Sequence, residues 1–340
     1  MSFEFNILKF NLNKILVLTG SIALIFVVSF FVWWNKEITV TGLNPWQAEP
    51  GLKSSISGLE CANAGRRPLA VMMAGDPETR PLAGIGQADI VFEMPVTPNS
   101  ITRFMAVFQC EDPKEIGSIR SAREDFIPLA ASFGSIYAHW GGEKDALNKL
   151  DGGIINNIDA MKYEGTIFYR KNSMPRPHNG FTTIDLLLEK AGTLGYEPKD
   201  TFQGYAHGRD EVKRNLSNLV STIDIDYPGQ YKVLWQYDEQ ANSYLRSRGG
   251  SREMDANSGE QVRADTVVVM KTSSRVLSKD YIRVDVVGEG DIIIYQNGSS
   301  ISGTWQKDPS QTSSKLYFYD MNGQEIKLVP GKIWVEITIS

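Results

Sequence analysis

At 340 residues the chain has room for two domains beside one leading hydrophobic segment. Its composition, 42% hydrophobic and 22% charged, is that of an ordinary globular protein and excludes a low-complexity or disordered chain. Asp and Glu outnumber Lys and Arg by 40 to 35; the net charge of −5 and the lack of a basic run argue against a nucleic-acid binder.

The first element is "ILVLTGSIALIFVVSFFVWW", Ile15 to Trp34, a run of 20 residues without a charge. As a helix it would span about 30 Å, the hydrocarbon thickness of a bilayer. Trp33 and Trp34 stand at its end, where aromatic belts form. The apolar core of a signal peptide is shorter and leads to a small-x-small cleavage site, whereas this run ends in "WWNKE". The reading is an uncleaved anchor. Residues 1–14 are then a cytoplasmic tail, 15–34 a transmembrane helix and 35–60 a Gly-, Ser- and Pro-containing tether, with the body outside the cytoplasm.

The body begins with three apolar runs, "RPLAVMMAG", "ADIVFEMPV" and "ITRFMAVFQ", which read as buried strands. "SIRSA" is a fourth candidate and "SIYAHWGG" a fifth. Ser121 and Glu124 have capping-box spacing, so a helix is expected from Ala122 to about Ser132, with Pro128 inside it. "EKDALNKL" and "TIDLLLEKAGTLG" read as further helices, the second stopped by Gly195. Residues 61–204 are read as an α/β layer domain with a mixed sheet. From about Tyr205 to Val220 a polar helix or linker is expected. The remainder of 205–340 is a succession of short strand-like runs, two of them next to Asn-Gly hairpin signals, and reads as a β-rich, antiparallel domain. The fold class is α+β behind an N-terminal transmembrane helix. Cys61 and Cys110 each lie just outside an apolar run; they are either bridged or two unrelated buried thiols.

Common catalytic signatures are missing from the sequence. It has no G-x-S-x-G elbow and no P-loop, and "GIGQAD" has only two of three Rossmann glycines. What remains is cationic. Arg103, Arg120 and Arg123 fall in or near neighbouring elements, and arginine's planar fork suits phosphate or carboxylate. A helix starting near Ala122 would add free N–H groups to such a site. The alternative is that Arg123 pairs with Glu124, Asp125 or Glu93, the commoner fate of an arginine. A second polar group, "FYRKNSMPRPHNG", carries Arg170, Arg176, His178 and Asn179 on a proline-restrained loop. His139 ends an apolar strand, where it serves either as a general base or as a satisfied core residue. Asp89 and Glu93 share one strand face and would orient the arginines or hold a divalent cation.

Taken together, "RPLAVMMAG", "GIGQADIVFEMPV", "ITRFMAVFQ", "IGSIRSARED", "YAHWGG" and "RPHNG", followed by "GSISGTWQK" and "YFYDMNGQEIKLVPGKIWVEI", resemble the YerB-like family of bacterial envelope proteins. The resemblance covers nearly everything after about residue 60. It implies two domains tethered outside the cytoplasmic membrane, in a family without an assigned activity. Its members are commonly lipoproteins, and this chain lacks a Cys directly after the apolar run. The layout from "DPKEIGSIRSARE" to "YAHWGG" is also similar to that of the LytR-CpsA-Psr phosphotransferases, although there Arg and Asp stand side by side, and here Arg120 is followed by Ser121.

The expected function is a single-pass membrane protein binding an anionic envelope glycan, peptidoglycan or polyprenyl-phosphate-linked precursor through Arg103, Arg120, Arg123, Arg170 and Arg176, with His139, His178 and Asn179 as hydrogen-bonding partners. No cofactor is read from the sequence. A phosphotransferase or hydrolase reading would add Mg2+ and give Asp89 a catalytic part. A scaffold reading would instead place an envelope protein partner on β-domain aromatics such as Tyr317 or Tyr319.

Overall fold

The computed structural model describes residues 51–98, 101–208 and 219–339. The tail, the transmembrane segment, the first part of the tether and most of the 205–220 linker lie outside the described residues. Among those described, no helix is long and apolar enough to cross a membrane.

In the first half the strands are β1 (Leu69–Ala74), β2 (Ile90–Pro95), β3 (Thr102–Phe108), β4 (Ile116–Gly117), β5 (Ile136–His139), β6 (Asn157–Asp159), β7 (Tyr169–Arg170) and β8 (Gly180–Thr182). The helices are α1 (Phe126–Ser132), α2 (Lys144–Asp151), α3 (Ala160–Tyr163) and α4 (Ile184–Thr193). The second half holds β9 (Thr222–Ile225), β10 (Val233–Asp238), β11 (Ser243–Arg248), β12 (Ser251–Arg252), β13 (Arg263–Ala264), β14 (Thr266–Thr272), β15 (Ser274–Val276), β16 (Ile282–Val284), β17 (Gly288–Gln296), β18 (Ser299–Lys307), β19 (Tyr317–Asp320) and β20 (Ile333–Ile339).

Ten of these strands form one sheet in the order β19-β18-β17-β14-β20-β2-β3-β1-β5-β6. The strands of the second half are thus not all antiparallel, and five of them join the sheet of the first half. β20 is inserted between β14 and β2 and runs parallel to both. The reason is in its composition: Ile333, Trp334, Val335 and Ile337 are apolar on both faces, which suits a strand covered on both sides. β9 to β13 form a separate five-stranded sheet. Together with α4 it covers one face of the large sheet, burying Trp235, Tyr244, Leu187 and Trp334. α1 and α2 cover the other face over Met72, Phe92, Met105 and Val335.

The sequence signals acted as expected where they were local. Asn297 and Gly298, at φ 53° and 70°, close the two-residue β17–β18 hairpin. Thr183 caps α4 by accepting from the Leu186 N–H. Three expectations fail. The helix expected from Ala122 starts only at Phe126, so Pro128 sits in its first turn, where the missing N–H costs nothing. The Ser121/Glu124 capping box does not form, because the Glu124 N–H goes to the Glu143 carboxylate. Residues 51–60, expected as tether, are instead packed on the body. Ile56 is fully buried, and Ser54 Oγ donates to Gln109 and accepts the Ile56 and Ser57 N–H groups. Nearby, Cys61 and Cys110 form a disulfide.

Candidate functional site

Period-2 alternation on β3 sends adjacent residues to opposite faces of the large sheet. Thr102 faces the five-stranded sheet and Arg103 faces the α1 side. Gly75, after β1, lies so close to the Thr102 carbonyl that a Cβ would sit 2.0 Å from that oxygen; only glycine lets the chain pass there and turn Asp76 toward Arg120.

The Arg103 side forms a cationic cluster. Arg120 donates from Nη2 and Nε to Asp76 Oδ2 at 2.9 and 3.2 Å. Arg123 donates to the Ala122 carbonyl at 3.0 Å and lies 5.1 Å over the Tyr281 ring. Arg103 itself is 5% exposed, and among the described residues it has no carboxylate partner. Its Nη1 reaches only the Ser121 carbonyl, at 3.5 Å, and its Nε has no partner; the Arg123 Nε and the His178 Nδ1 are likewise buried and unbonded. Burial, then the Arg123 and Arg120 charges, pushes the Arg103 pKa down to about 9, with Asp76 pulling the other way. It stays charged at neutral pH, at a cost. Burial opposes ionisation of Asp76, but Arg120, Arg103 and His178 outweigh it and hold the carboxyl below its usual range.

The β15–β16 hairpin leans over this cluster. Tyr281 meets Arg123, Arg283 Nε pairs with Asp125 at 2.9 Å and its Nη2 pairs with Glu124, and the Val284 N–H donates to Asp125 at 2.9 Å. Burial raises the Asp125 pKa to about 7, against the Val284 hydrogen bond and the Arg283 charge. Asp125 is thereby occupied by the hairpin and does not cap α1. With α1 starting late and only seven residues long, helix N–H groups do not build the site.

The other expected residues divide. Arg170 stacks 4.1 Å over Trp140 and donates to Glu164 at 2.6 Å and Asn179 at 2.9 Å. This group adjoins the cluster through Trp140, whose N–H bonds the Arg120 carbonyl. Arg176 is largely exposed, 3.8 Å from Glu164. His139 is fully buried and satisfied by the Gly141 carbonyl at 2.8 Å and Asn157 at 3.2 Å, so it is a core histidine and not an open base. Asp89 meets no arginine. It accepts the Gln109 and Cys110 N–H groups at 2.7 and 3.0 Å, and burial raises its pKa.

Glu93 lies on the opposite side of the sheet from Arg103. It is fully buried, accepts from Thr102 Oγ1 at 2.5 Å, and pairs with Arg248 at 2.8 Å and with Arg246. Glu253 and Glu336 complete this group, and Trp235 Nε1 donates to Glu336 at 2.9 Å. Sequence reasoning missed it. The signal was an acid in each of two otherwise largely apolar strands, "IVFEMP" and "IWVEITI", which require buried cations. Phase hid the partners: in "SYLRSR" alternation buries Arg246 and Arg248 while Leu245 stays half-exposed.

Residues 56–197 match the model of the DUF3048 N-terminal domain and residues 223–335 that of the DUF3048 C-terminal domain, both described as a protein of unknown function. The chain is 30% identical over 293 residues to "Putative lipoprotein YerB" of Bacillus subtilis (strain 168), covering 84% of this chain and 86% of that one. This chain belongs to the DUF3048, YerB-like family. The crystal structure of the YerB protein from Bacillus subtilis superposes with a TM-score of 0.76 at 28% identity, over 85% of this chain and 97% of that chain. The family resemblance read from the motifs thus holds across both halves.

Proposed function

We propose that this protein is a membrane-anchored, extracytoplasmic envelope protein that binds an anionic envelope ligand through Arg103, Arg120 and Arg123. Envelope placement is supported by the lipoprotein description of its Bacillus subtilis relative, and anchoring through residues 15–34 by their charge-free run. The observation that carries the binding reading is Arg103: a buried guanidinium with no carboxylate partner among the described residues, facing Arg123 and Arg120, of which Arg120 is paired with Asp76. A phosphate or carboxylate entering there would offset the desolvation cost that the fold leaves uncompensated. His178 and Tyr281 border the same space. Binding is favoured over turnover because Asp76 is ion-paired and its pKa is lowered, which makes it a weak base, and because Asp89 and Glu93 are committed elsewhere. Arg170 and Asn179 act at the border of the site.

The test is calorimetric titration of the full-length protein with pyrophosphate, an undecaprenyl phosphate analogue and muropeptides, with and without Mg2+, against Arg103→Met. Saturable binding that Arg103→Met weakens at least tenfold supports the reading. Binding of equal strength in the variant overturns it, and a strict Mg2+ requirement together with turnover of the ligand would move the assignment to a phosphotransferase or hydrolase.

A further inference from the structure

The face of the large sheet that bears Trp334, against which Trp235 of the five-stranded sheet packs, is covered no further than Tyr295 of β17. Beyond it, on β17, β18 and β19, that face is open: Glu289, Asp291 and Gln306 are exposed, and Thr304, Tyr317 and Tyr319 are half-exposed. The register arranges these six as two rows. Glu289 stands opposite Gln306, and Gln306 opposite Tyr317; one step along, Asp291 stands opposite Thr304, and Thr304 opposite Tyr319. Each row therefore reads carboxylate, neutral hydrogen-bonding group, tyrosine, and the rows are separated by about 7 Å, two strand residues. The tyrosine rings are parallel to within 11° with centroids 5.5 Å apart, an offset stack. Lys315 lies 4.5 Å over the Tyr317 ring and is itself paired with Glu325, so it fixes the ring and adds no free charge. Tyr317, Tyr319, Gln306 and Glu289 line a groove of about 370 Å³, within the roughly 300–1,000 Å³ usual for ligand sites.

We propose that this face is a binding site for an uncharged pyranose glycan, separate from the arginine cluster. A pyranose ring has an apolar C–H face and a rim of hydroxyl groups. The first suits an aromatic ring. The second suits carboxylates that accept from hydroxyls, beside an amide and a hydroxyl that both donate and accept. Repetition of the same three groups on successive rows matches a ligand that itself repeats. Charge sets the class: Glu289 and Asp308 line the groove and Asp291 stands in the next row, while of the two lysines that line it Lys315 is paired with Glu325 and Lys307 is buried against the Ser132 and Ser314 oxygens, so the balance is negative and disfavours a polyanion here, whereas the arginine cluster attracts one. The two sites differ in ligand sign, and this one does not rest on the anion reading.

The experiment titrates the full-length chain, in a detergent without a sugar headgroup, with chitotetraose, cellotetraose and polyphosphate. The expected result is saturable binding of at least one oligosaccharide and none of polyphosphate at this face. That binding should weaken at least tenfold in Tyr317→Ala/Tyr319→Ala and measurably in Gln306→Ala, with thermal midpoints near that of the parent. Tyr317→Phe/Tyr319→Phe should retain most of it, since the ring faces remain. Absence of oligosaccharide binding would overturn the proposal. So would binding that the double alanine variant keeps, or a groove that takes an extended peptide along the β19 edge instead of a sugar.

Discussion

Thr102 and Arg103 are neighbours in sequence, yet they look into two differently built charge clusters. On the Thr102 side, Arg246 and Arg248 are fully buried against Glu93, Glu253 and Glu336, with Trp334 4.4 Å from the Arg246 guanidinium. On the Arg103 side, three arginines converge, and Asp76 is paired with one of them, Arg120. The first cluster is closed: its charges are matched within the fold, and it ties the five-stranded sheet to the large one. The second is left short of negative charge. Burial of a charge therefore does not by itself separate structure from function. What separates them is whether the fold supplies the counter-charge.

If that distinction is right, single substitutions in the closed cluster should give the largest losses. Arg246→Met leaves Glu93, Glu253 and Glu336 without their shared cation and should cost about 3–5 kcal/mol of unfolding free energy. Urea denaturation measures it, and a loss under about 1 kcal/mol would show that the cluster is not closed in solution. A second change uses the surplus of acid. Burial, then the Glu93 charge, raises the Glu336 pKa to about 8, with Arg246 opposing. A carboxyl raised in the fold holds a proton that the unfolded chain releases above about pH 4. Its contribution thus erodes stability as pH rises from about 4 to about 8. Glu336→Gln, which cannot ionise, should gain on the parent through that window at no more than about 1.4 kcal/mol per pH unit, and the gap should be constant above it. A gap independent of pH would mean that Glu336 is ionised in the fold.

The open cluster should respond with the opposite sign. Arg103→Met removes a buried cation with no carboxylate partner, so it should raise stability by roughly 1–3 kcal/mol while abolishing anion binding. Thermal unfolding with and without pyrophosphate reads both effects in one series. Loss of stability on a scale like that of Arg246→Met would put Arg103 among the structural arginines and erase the contrast.

Much of this architecture was legible from the sequence, and the boundary of legibility is physical. Strands that rest on local alternation or continuous apolar runs, such as β1, β2, β3 and β14, were readable, as were α4 and the Asn297-Gly298 turn. Convergence of Arg103, Arg120 and Arg123 was readable because a few turns of chain separate them. The rest depends on contacts over long separations. No local signal places β20 beside β2, more than 230 residues away in sequence. None reveals that Glu93 finds Arg246 across 153 positions. The capping-box spacing at Ser121 misled for a related reason: Glu143 took the Glu124 N–H that a capped helix would have used.

The smallest expected effect concerns the edge between the open cluster and the hairpin over it. Asp125 faces Arg283, Glu124 and Glu143, and it accepts the Val284 N–H that pins β16. Its pKa, raised to about 7, has the same sign of linkage as that of Glu336, over a narrower window. The folded form holds a proton that the unfolded chain has lost above about pH 4, so the contribution of Asp125 falls as pH climbs from about 4 to about 7 and is level beyond. Asp125→Asn keeps an acceptor for Val284 and removes the titration. It should change stability by less than about 1 kcal/mol at pH 5 and gain on the parent toward pH 7. Amide exchange of Val284 reads the hairpin directly: in the parent, protection should change across neutral pH, and in the variant it should not. If exchange in the parent is flat through pH 7, Asp125 is ionised throughout, and the hairpin over the arginine cluster is held by a permanent ion pair with Arg283.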